Sequence, residues 1–263
     1  MERVIPGSEH WSYSHADHLS RYMFAEQFVK VKRVLDAGCG VGYGAALMAE
    51  FGAREIVAID IDGESIEAAR QTYVFPNVTF HIDDSETLNT VTGEFDVVCS
   101  FENIEHLLNP DHFLSRVTEL LRDDGVLICS TTDPRGPYCK CQNGRTANPY
   151  HVNEWHAREF EGLLHRYFGD IDMRQQVQAL SAYRRRIAAI ELDGLLGRIW
   201  ASPLRRLARG AQRLFGKHYD WPHILEIANP SPADYPIVAS RVSHLFGVPY
   251  CHVAICRMPT RRE

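Results

Sequence analysis

The chain has 263 residues, of which 45% are hydrophobic and 24% are charged. These fractions are close to the globular average, so they exclude a disordered tail, a collagen-like fibre and a coiled-coil rod. Lys and Arg number 28 against 34 Asp and Glu, a formal net charge of −6 that is not typical of a basic nucleic-acid binder. The sequence lacks the run of about 18 apolar residues that predicts a transmembrane helix, and its first residues lack the apolar segment of a signal peptide. With seven cysteines, an odd number, we expect a reduced, cytoplasmic protein.

Short apolar runs rich in β-branched residues alternate with helical patterns through the first half of the chain. Strands are predicted at residues 33–37, 56–61, 78–81, 95–100 and 125–130, and helices at 44–51, 65–73 and 110–122. This alternation predicts an α/β fold with a doubly wound, Rossmann-like and mostly parallel sheet. A helix over residues 15–31 is predicted to cover the sheet, and residues 170–176 and 250–257 to complete it.

A basic segment lies between those last two predicted strands. Residues 184–217 contain nine Lys and Arg against two acidic residues. We expect one domain over residues 1–263, with a helical insertion at 180–227 that is too short for a core of its own. A helix from about Pro203 to Phe215 would place Arg205, Arg209 and Arg213 on one face. That face is either an ordinary solvated surface or a dock for an anionic or lipid-linked acceptor.

The strongest local signal is the glycine-rich segment that follows the first predicted strand. Val34-Leu35-Asp36-Ala37-Gly38-Cys39-Gly40-Val41-Gly42 ends a strand and precedes a helix, and its glycines allow close approach to a ligand. Asp60 ends the next strand, where a carboxylate can accept hydrogen bonds from both ribose hydroxyls. The combination predicts a nucleotide site, the alternative being a tight turn and a helix cap. NAD is the rival ligand, but the carboxylate of Asp36 would repel a pyrophosphate and favours a cofactor with an ammonium group.

Two carboxylates and an imidazole follow the fourth predicted strand. Glu102, Glu105 and His106 have the spacing i, i+3 and i+4, which places them on one face of a helical turn. His151 follows the fifth strand, at the same edge of the sheet. Such a mixed set of oxygen and nitrogen ligands suits Mg²⁺, Mn²⁺ or Zn²⁺. The alternative is that Glu102 caps a helix, Glu105 is solvated and His106 packs.

The chain resembles the class I S-adenosylmethionine-dependent methyltransferases. Val34–Gly42 meets their glycine motif, Asp60 matches the ribose-binding acid and Asp84 matches the acid that contacts the adenine amino group. The resemblance covers roughly residues 15–175 and implies the family's α/β sheet, with S-adenosylmethionine as cofactor. The cofactor-binding residues that it implies are Tyr22, Asp36, Gly38, Gly40, Gly42, Asp60, Ile61, Asp84, Ser85 and Phe101.

The later motifs resemble metal-dependent O-methyltransferases within that family. The segment Glu102–His106 has the ExxEH pattern of small-RNA 2′-O-methyltransferases and ubiquinone-pathway O-methyltransferases. Bacterial methyltransferases of glycan and polysaccharide clusters look closer still, with motifs matched by Arg21–Ala25 and Asn148–Glu154. The resemblance implies a divalent cation, Mg²⁺ foremost, held by four residues of which the two histidines are also candidate catalytic bases: Glu102, Glu105, His106 and His151. Thr132-Asp133 stands where Pro-Asn is usual, on the acceptor side.

We therefore expect an O-methyltransferase that acts on a hydroxyl of a sugar, a glycan or a glycosylated natural product. The alternatives are 2′-O-methylation of an RNA end, methylation of a small phenol, and a cofactor-binding module that regulates a partner without catalysis. His156 is a spare candidate base, and the pair Cys139 and Cys141 is a candidate for a structural metal. The sequence leaves open the acceptor, the metal and whether the protein is an oligomer.

Overall fold

The computed structural model describes residues 11–135, 148–179, 231–240, 243 and 247–260. The whole of the predicted insertion at 180–227, including its basic helix, lies outside these residues, as do Cys139 and Cys141. The single domain with an insertion therefore stays a prediction.

The described residues form five α-helices and eight β-strands. The helices are α1 Trp11–Val29, α2 Tyr43–Glu50, α3 Gly63–Thr72, α4 Pro110–Leu120 and α5 Ala157–Leu164. The strands are β1 Arg33–Ala37, β2 Glu55–Asp60, β3 Val78–Ile82, β4 Phe95–Phe101, β5 Leu121–Thr132, β6 Phe168–Ala179, β7 Ile237–Ala239 and β8 Gly247–Pro259. Single 3₁₀ turns cover Ile104–His106 and Pro232–Asp234.

All eight strands belong to one sheet, whose order is β3-β2-β1-β4-β5-β8-β6-β7. The first five strands are parallel, and β8 runs antiparallel between β5 and β6. This arrangement confirms the predicted doubly wound, mostly parallel α/β sheet. In such a sheet, ligands bind outside the carboxyl ends of the parallel strands, where the strand order reverses. Here the reversal lies between β1 and β4.

The core has one part on each face of the sheet. On one face, buried residues of α4 and α5, among them Phe113 and Phe160, pack against β4, β5 and β8. On the other face, α1, α2 and α3 contribute buried residues such as Val29, Met48 and Ile66. The apolar runs of β1 and β4 are almost wholly buried, as expected of parallel strands covered on both sides.

Local sequence signals explain where the helices begin. The Asp62 side chain accepts a hydrogen bond from the backbone N–H of Ser65 at 2.8 Å and so caps α3. Asn109 caps α4, and Pro110 occupies its first turn, where the missing N–H costs nothing. The predicted covering helix is present as α1. Within the described residues, none of the helices is both long enough and apolar enough to span a bilayer.

Candidate functional site

Three glycines shape the loop between β1 and α2. Gly38, Gly40 and Gly42 have φ angles of 82°, 54° and 85°, in the left-handed region that favours glycine. A Cβ on Gly42 would lie 2.7 Å from the Cβ of Ala69 and from the ring of Phe80. The loop therefore needs glycine for its backbone angles and, at Gly42, for space as well.

The Asp60 carboxylate at the end of β2 is tied to this loop. One oxygen accepts a hydrogen bond from the N–H of Gly40 at 2.8 Å, and the other accepts one from the N–H of Asp62 at 2.9 Å. Asp60 is partly exposed, so its remaining lone pairs can accept from a ligand. Ile61, also predicted to bind the cofactor, follows Asp60 and is 56% exposed.

Two neighbouring acids follow β3, and only the second is open to a ligand. The Asp83 side chain is buried and accepts hydrogen bonds from the N–H and the hydroxyl of Thr90, at 2.7 and 2.8 Å. Asp84 is partly exposed and accepts one bond, from the N–H of Glu86 at 2.8 Å. This difference favours Asp84 as the adenine-facing acid, with Ser85 buried beside it.

Asp36 is a fully buried carboxylate at the end of β1. The Tyr22 hydroxyl of α1 donates to it at 3.1 Å, and the ring of Tyr22 packs edge-on against Phe101, with centroids 5.0 Å apart. The pKa of Asp36 is raised to about 7, because the effects of burial, the largest, and of the Asp60 charge outweigh the Tyr22 hydrogen bond, which lowers the pKa. A buried carboxylate held at this cost is suited to pairing with a cationic group of a ligand.

A second group of side chains meets near the end of β4. One ligand atom from each of Glu105, His106 and His151 can be chosen so that all three lie within 4.8 Å of one another. Glu105 is fully buried, and neither carboxylate oxygen has a hydrogen-bond partner among the described residues. The pKa of Glu105 is raised well above its usual range by burial and by the charge of Glu102. The hydroxyl of Thr131 faces this carboxyl group without reaching hydrogen-bonding geometry.

The two imidazoles of this group are arranged edge to face. Their ring centroids are 5.0 Å apart. Nδ1 of His106 lies 3.0 Å from the backbone carbonyl oxygen of Tyr150. Because a carbonyl can only accept, Nδ1 must carry the proton, which leaves the lone pair of Nε2 for a ligand. Histidines that bind metals commonly have this hydrogen bond on their other nitrogen.

Glu102 does not share a helical face with Glu105 and His106, so this part of the sequence interpretation was wrong. Glu102 has φ 50°, a left-handed conformation, and only Ile104–His106 form a turn, of the 3₁₀ type. One oxygen of Glu102 accepts from the hydroxyl of Ser130 and from the thiol of Cys251, both at 3.2 Å. Glu102 is therefore outside the compact group of three, and its role as a metal ligand stays a prediction.

Arg21 is a residue for which the sequence suggested no role. It is 1% exposed, and its Nη1 donates to the Gln176 side-chain oxygen and to the sulfur of Cys251. Its Nε and Nη2 have no hydrogen-bond partner within the described part of the chain. The pKa of Arg21 is raised because nearby negative groups, Glu102 first, outweigh the effect of burial. The available signal was an arginine next to Tyr22, followed at i+3, i+4 and i+7 by the apolar residues Phe24, Ala25 and Phe28.

The predicted site residues thus occupy one edge of the sheet, in two groups. The residues around β1, β2 and β3 surround the glycine loop, and the group of Glu105, His106 and His151 lies beyond β4. His156, the spare candidate, precedes α5 and is exposed. Their roles stay predictions, because contacts to a ligand define a role and proximity alone does not.

Comparison with known proteins agrees with this geometry. The model of the family described as "Methyltransferase domain" matches residues 9–179. The chain belongs to this methyltransferase domain family, and its fold is that of the class I S-adenosylmethionine-dependent members. The predicted family and fold class are thereby confirmed.

Individual relatives extend the comparison. A probable S-adenosylmethionine-dependent methyltransferase of Mycolicibacterium smegmatis is 33% identical over 163 residues, which are 62% of each chain. A ubiquinone biosynthesis O-methyltransferase of Haemophilus ducreyi is 36% identical over 107 residues, 38% of this chain and 45% of that protein. The chain therefore matches less than two thirds of the length of these relatives.

Solved structures show the same architecture. A methyltransferase of Thermotoga maritima, described as a possible histamine N-methyltransferase, superposes with a TM-score of 0.58 at 14% identity. The superposition covers 94% of this chain and 92% of that chain. At this identity the likeness concerns the fold alone.

Proposed function

We propose that this protein is an S-adenosylmethionine-dependent O-methyltransferase whose acceptor hydroxyl is activated at a divalent cation. The observation that carries the proposal is the buried carboxylate of Glu105, which has no hydrogen-bond partner among the described residues and lies beside two imidazoles at the sheet edge of the glycine loop. A buried carboxylate without a hydrogen-bond partner is costly, so such groups usually serve a bound ion or a ligand.

The residues around the glycine loop fit S-adenosylmethionine. Asp60 would accept from the ribose hydroxyls, and Asp84 from the adenine amino group. Asp36, buried at the end of β1, would hold the ammonium of the methionine end. The Nε and Nη2 atoms of Arg21 form one edge of its guanidinium, which matches a carboxylate in a two-point contact. Arg21 is thus our candidate for the carboxylate of the same methionine end.

The residues beyond β4 fit a divalent cation, Mg²⁺ or Mn²⁺. Glu105, His106 and His151 would supply three ligands, and Glu102 a fourth after rotation of its side chain away from Ser130 and Cys251. When bound, the cation would lower the pKa of a coordinated hydroxyl group. The hydrogen bond from His106 Nδ1 to the Tyr150 carbonyl keeps the imidazole oriented and its Nε2 deprotonated.

For methyl transfer, the task of the protein is positioning and deprotonation. The sulfonium methyl group is already activated, so an oxygen held in line with the carbon–sulfur bond can attack it directly. The glycine loop and Asp60 would fix the donor, while the group beyond β4 would orient the acceptor oxygen. A sugar hydroxyl is a poor nucleophile at neutral pH, which is why we place the activating group at the acceptor and not at the donor.

The acceptor that we propose is a hydroxyl of a sugar unit in a glycan or a natural product. The sequence motifs that resemble glycan-cluster methyltransferases support this choice. A phenol is the second candidate, because relatives include a ubiquinone biosynthesis O-methyltransferase. The basic segment at 184–217 supports an anionic acceptor, whose docking there is an expectation from the sequence alone.

The test is transfer of a labelled methyl group to sugar, catechol and RNA acceptors after removal of metal. We expect turnover on a sugar acceptor that disappears in excess chelator and returns with Mg²⁺ or Mn²⁺. Full activity in chelator would refute the cation, and transfer to RNA alone would refute the acceptor class. Arg166→Gln, at an exposed ion pair with Asp111, is the control variant and should behave as the parent.

A further inference from the structure

A second polar group lies buried where β5, β8 and β6 meet, outside the residues that the proposed function uses. His252 of β8 is 1% exposed, and the residues next to it in this strand are mostly apolar. Its register partners are Thr131 at the carboxyl end of β5 and Gln175 of β6. Directly paired residues of neighbouring strands project from the same face of a sheet. His252 is thus beside Thr131, whose hydroxyl faces the carboxyl group of Glu105.

Asp133 is held in a fixed orientation next to this imidazole. Its Oδ1 accepts from the N–H of Arg135 at 2.9 Å, and its Oδ2 accepts from the Gln175 amide at 3.1 Å. The Ser243 hydroxyl in turn donates to the Gln175 side-chain oxygen at 2.8 Å. Nε2 of His252 lies 3.6 Å from Asp133 Oδ2, and within the described residues it has no hydrogen-bond partner. A carboxylate at this place favours the tautomer with the proton on Nε2, which leaves the lone pair on Nδ1.

The proposed reaction needs a side chain that accepts the proton of the acceptor hydroxyl. If Glu105, His106 and His151 bind a cation, their lone pairs are occupied, and a ligating imidazole cannot also accept the proton of the acceptor hydroxyl. An imidazole oriented by a carboxylate is the arrangement that enzymes commonly use for proton removal. In His252 and Asp133 a carboxylate oxygen lies 3.6 Å from the imidazole Nε2, just beyond hydrogen-bonding distance, at the same sheet edge as Glu105. A small movement of either side chain would complete the hydrogen bond.

We infer that His252 is the general base of the methyl transfer and that Asp133 is the residue that positions it. The inference rests on the proposed function. The acceptor oxygen forms its bond to the methyl carbon while the carbon–sulfur bond breaks, and that electron pair stays on sulfur. The hydroxyl proton moves to Nδ1 of His252, and Asp133 stabilises the resulting imidazolium. The products are the methyl ether, S-adenosylhomocysteine and a proton that His252 later releases to water.

The charges around His252 agree with this role. Burial lowers the pKa of His252, as do Arg135 and His156, while Asp133 and Glu102 raise it. From β6 it is faced by Gln175, which carries no charge. The imidazole is therefore neutral near pH 7 and can accept a proton. Burial alone would raise the pKa of Asp133, but hydrogen bonds from Arg135 lower it overall, so this carboxylate stays ionised.

The experiment compares pH profiles of kcat for the parent, His252→Gln, Asp133→Asn and His165→Gln, with a sugar acceptor and saturating Mg²⁺. His165, an exposed histidine at the end of α5, is the matched control and should not change the profile. We expect His252→Gln to lose about 100-fold in kcat and the acidic limb of the profile. Its affinities for S-adenosylmethionine and Mn²⁺ should stay within about twofold of the parent, since the binding groups are separate.

Asp133→Asn separates proton transfer from a merely structural role. Loss of the carboxylate destabilises the imidazolium, so the acidic limb should move to lower pH. The same shift should be seen in the proton magnetic resonance titration of the His252 ring. If His252→Gln fails to fold, the shift of the acidic limb in Asp133→Asn is the result that tests the inference. An unchanged kcat and acidic limb in the folded His252→Gln variant would overturn this inference, as would an unmoved acidic limb in Asp133→Asn. Either result would leave the proposed function standing. Absence of turnover in the parent on every hydroxyl acceptor would overturn the proposed function and this inference with it.

Discussion

At the scale of single residues, we expect the buried carboxylate of Asp36 to control how the proposed cofactor site responds to pH. Its pKa is raised to about 7, mainly by burial, so its ionised fraction rises between about pH 6 and pH 7.5. Only the ionised form attracts an ammonium group. Because the folded-state pKa is above the unfolded one, the apo protein binds more protons than the unfolded chain in this range. The contribution of Asp36 to the free energy of unfolding of the apo protein therefore falls as pH rises towards 7.

We predict that affinity for S-adenosylmethionine rises with pH over that interval in the parent. Asp36→Asn should lower the affinity about tenfold at pH 7.5 and remove the pH dependence, because the charge-assisted contact is lost. Calorimetric titration at several pH values measures both effects. Asp96→Asn is the control, since Asp96 accepts from the N–H of Arg33 at the opposite end of the strands. A parent affinity that does not change with pH would contradict the assignment of Asp36.

At the scale of elements, the close contact between α1 and α2 depends on a glycine, Gly44, at the point where the helices meet. A Cβ on Gly44, in the first turn of α2, would lie 2.0 Å from the ring of Tyr22. Tyr22 is 3% exposed and also contacts Tyr43 and Phe101. The two helices can therefore approach each other only with glycine at this position, and this approach brings the Tyr22 hydroxyl to Asp36.

We predict that Gly44→Ala destabilises the protein by about 1–3 kcal/mol, since the ring must move within a packed core. The cofactor affinity should fall with it, because Tyr22 no longer donates to Asp36. Gly162→Ala is the matched control: nothing lies within 4 Å of its added Cβ, and it is inside α5. There alanine should stabilise by about 0.4–1 kcal/mol. Thermal unfolding measures the stability of both variants relative to the parent. Equal destabilisation of the two would show that steric contact with Tyr22 is not the cause of the loss in Gly44→Ala.

The sequence predicted elements well where one local signal dominates. β1 was predicted at its observed bounds, and β2, β3 and β4 within one residue at either end, because buried parallel strands are continuous apolar runs. β5 is longer than expected, since Leu121 already pairs with Phe95 directly after α4. The three-residue β7 and the short α5 were not predicted, as their formation depends on pairing and packing with distant segments.

The candidate site was predictable in its residue types and less so in its contacts. The glycines, Asp36, Asp60 and Asp84 follow from motifs at strand ends. The left-handed conformation of Glu102 does not follow from spacing, and it separated this residue from Glu105 and His106. Arg21 and His252 were missed because their surroundings come from distant parts of the chain: Arg21 meets Gln176, and His252 meets Asp133.

At the scale of the whole molecule, the fold brings the proposed donor site and the proposed acceptor-activating site to one sheet edge. β1, β2 and β3 supply the glycine loop and the acids that fit the cofactor, while β4 and the segment before α5 supply Glu105, His106 and His151. The sites use different residues, so loss of one should leave binding at the other intact. This independence makes the metal site testable by itself.

Binding of Mn²⁺, followed by electron paramagnetic resonance with S-adenosylhomocysteine present, tests the central claim most directly. We predict one bound ion per parent chain, and affinities at least about tenfold weaker in Glu105→Gln and His151→Ala, because each loses a ligand. Affinity for S-adenosylhomocysteine should be unchanged in both variants. His112→Gln, an exposed histidine of α4, should bind Mn²⁺ as the parent does. A parent that binds no Mn²⁺, or variants that bind it as tightly as the parent, would contradict the account.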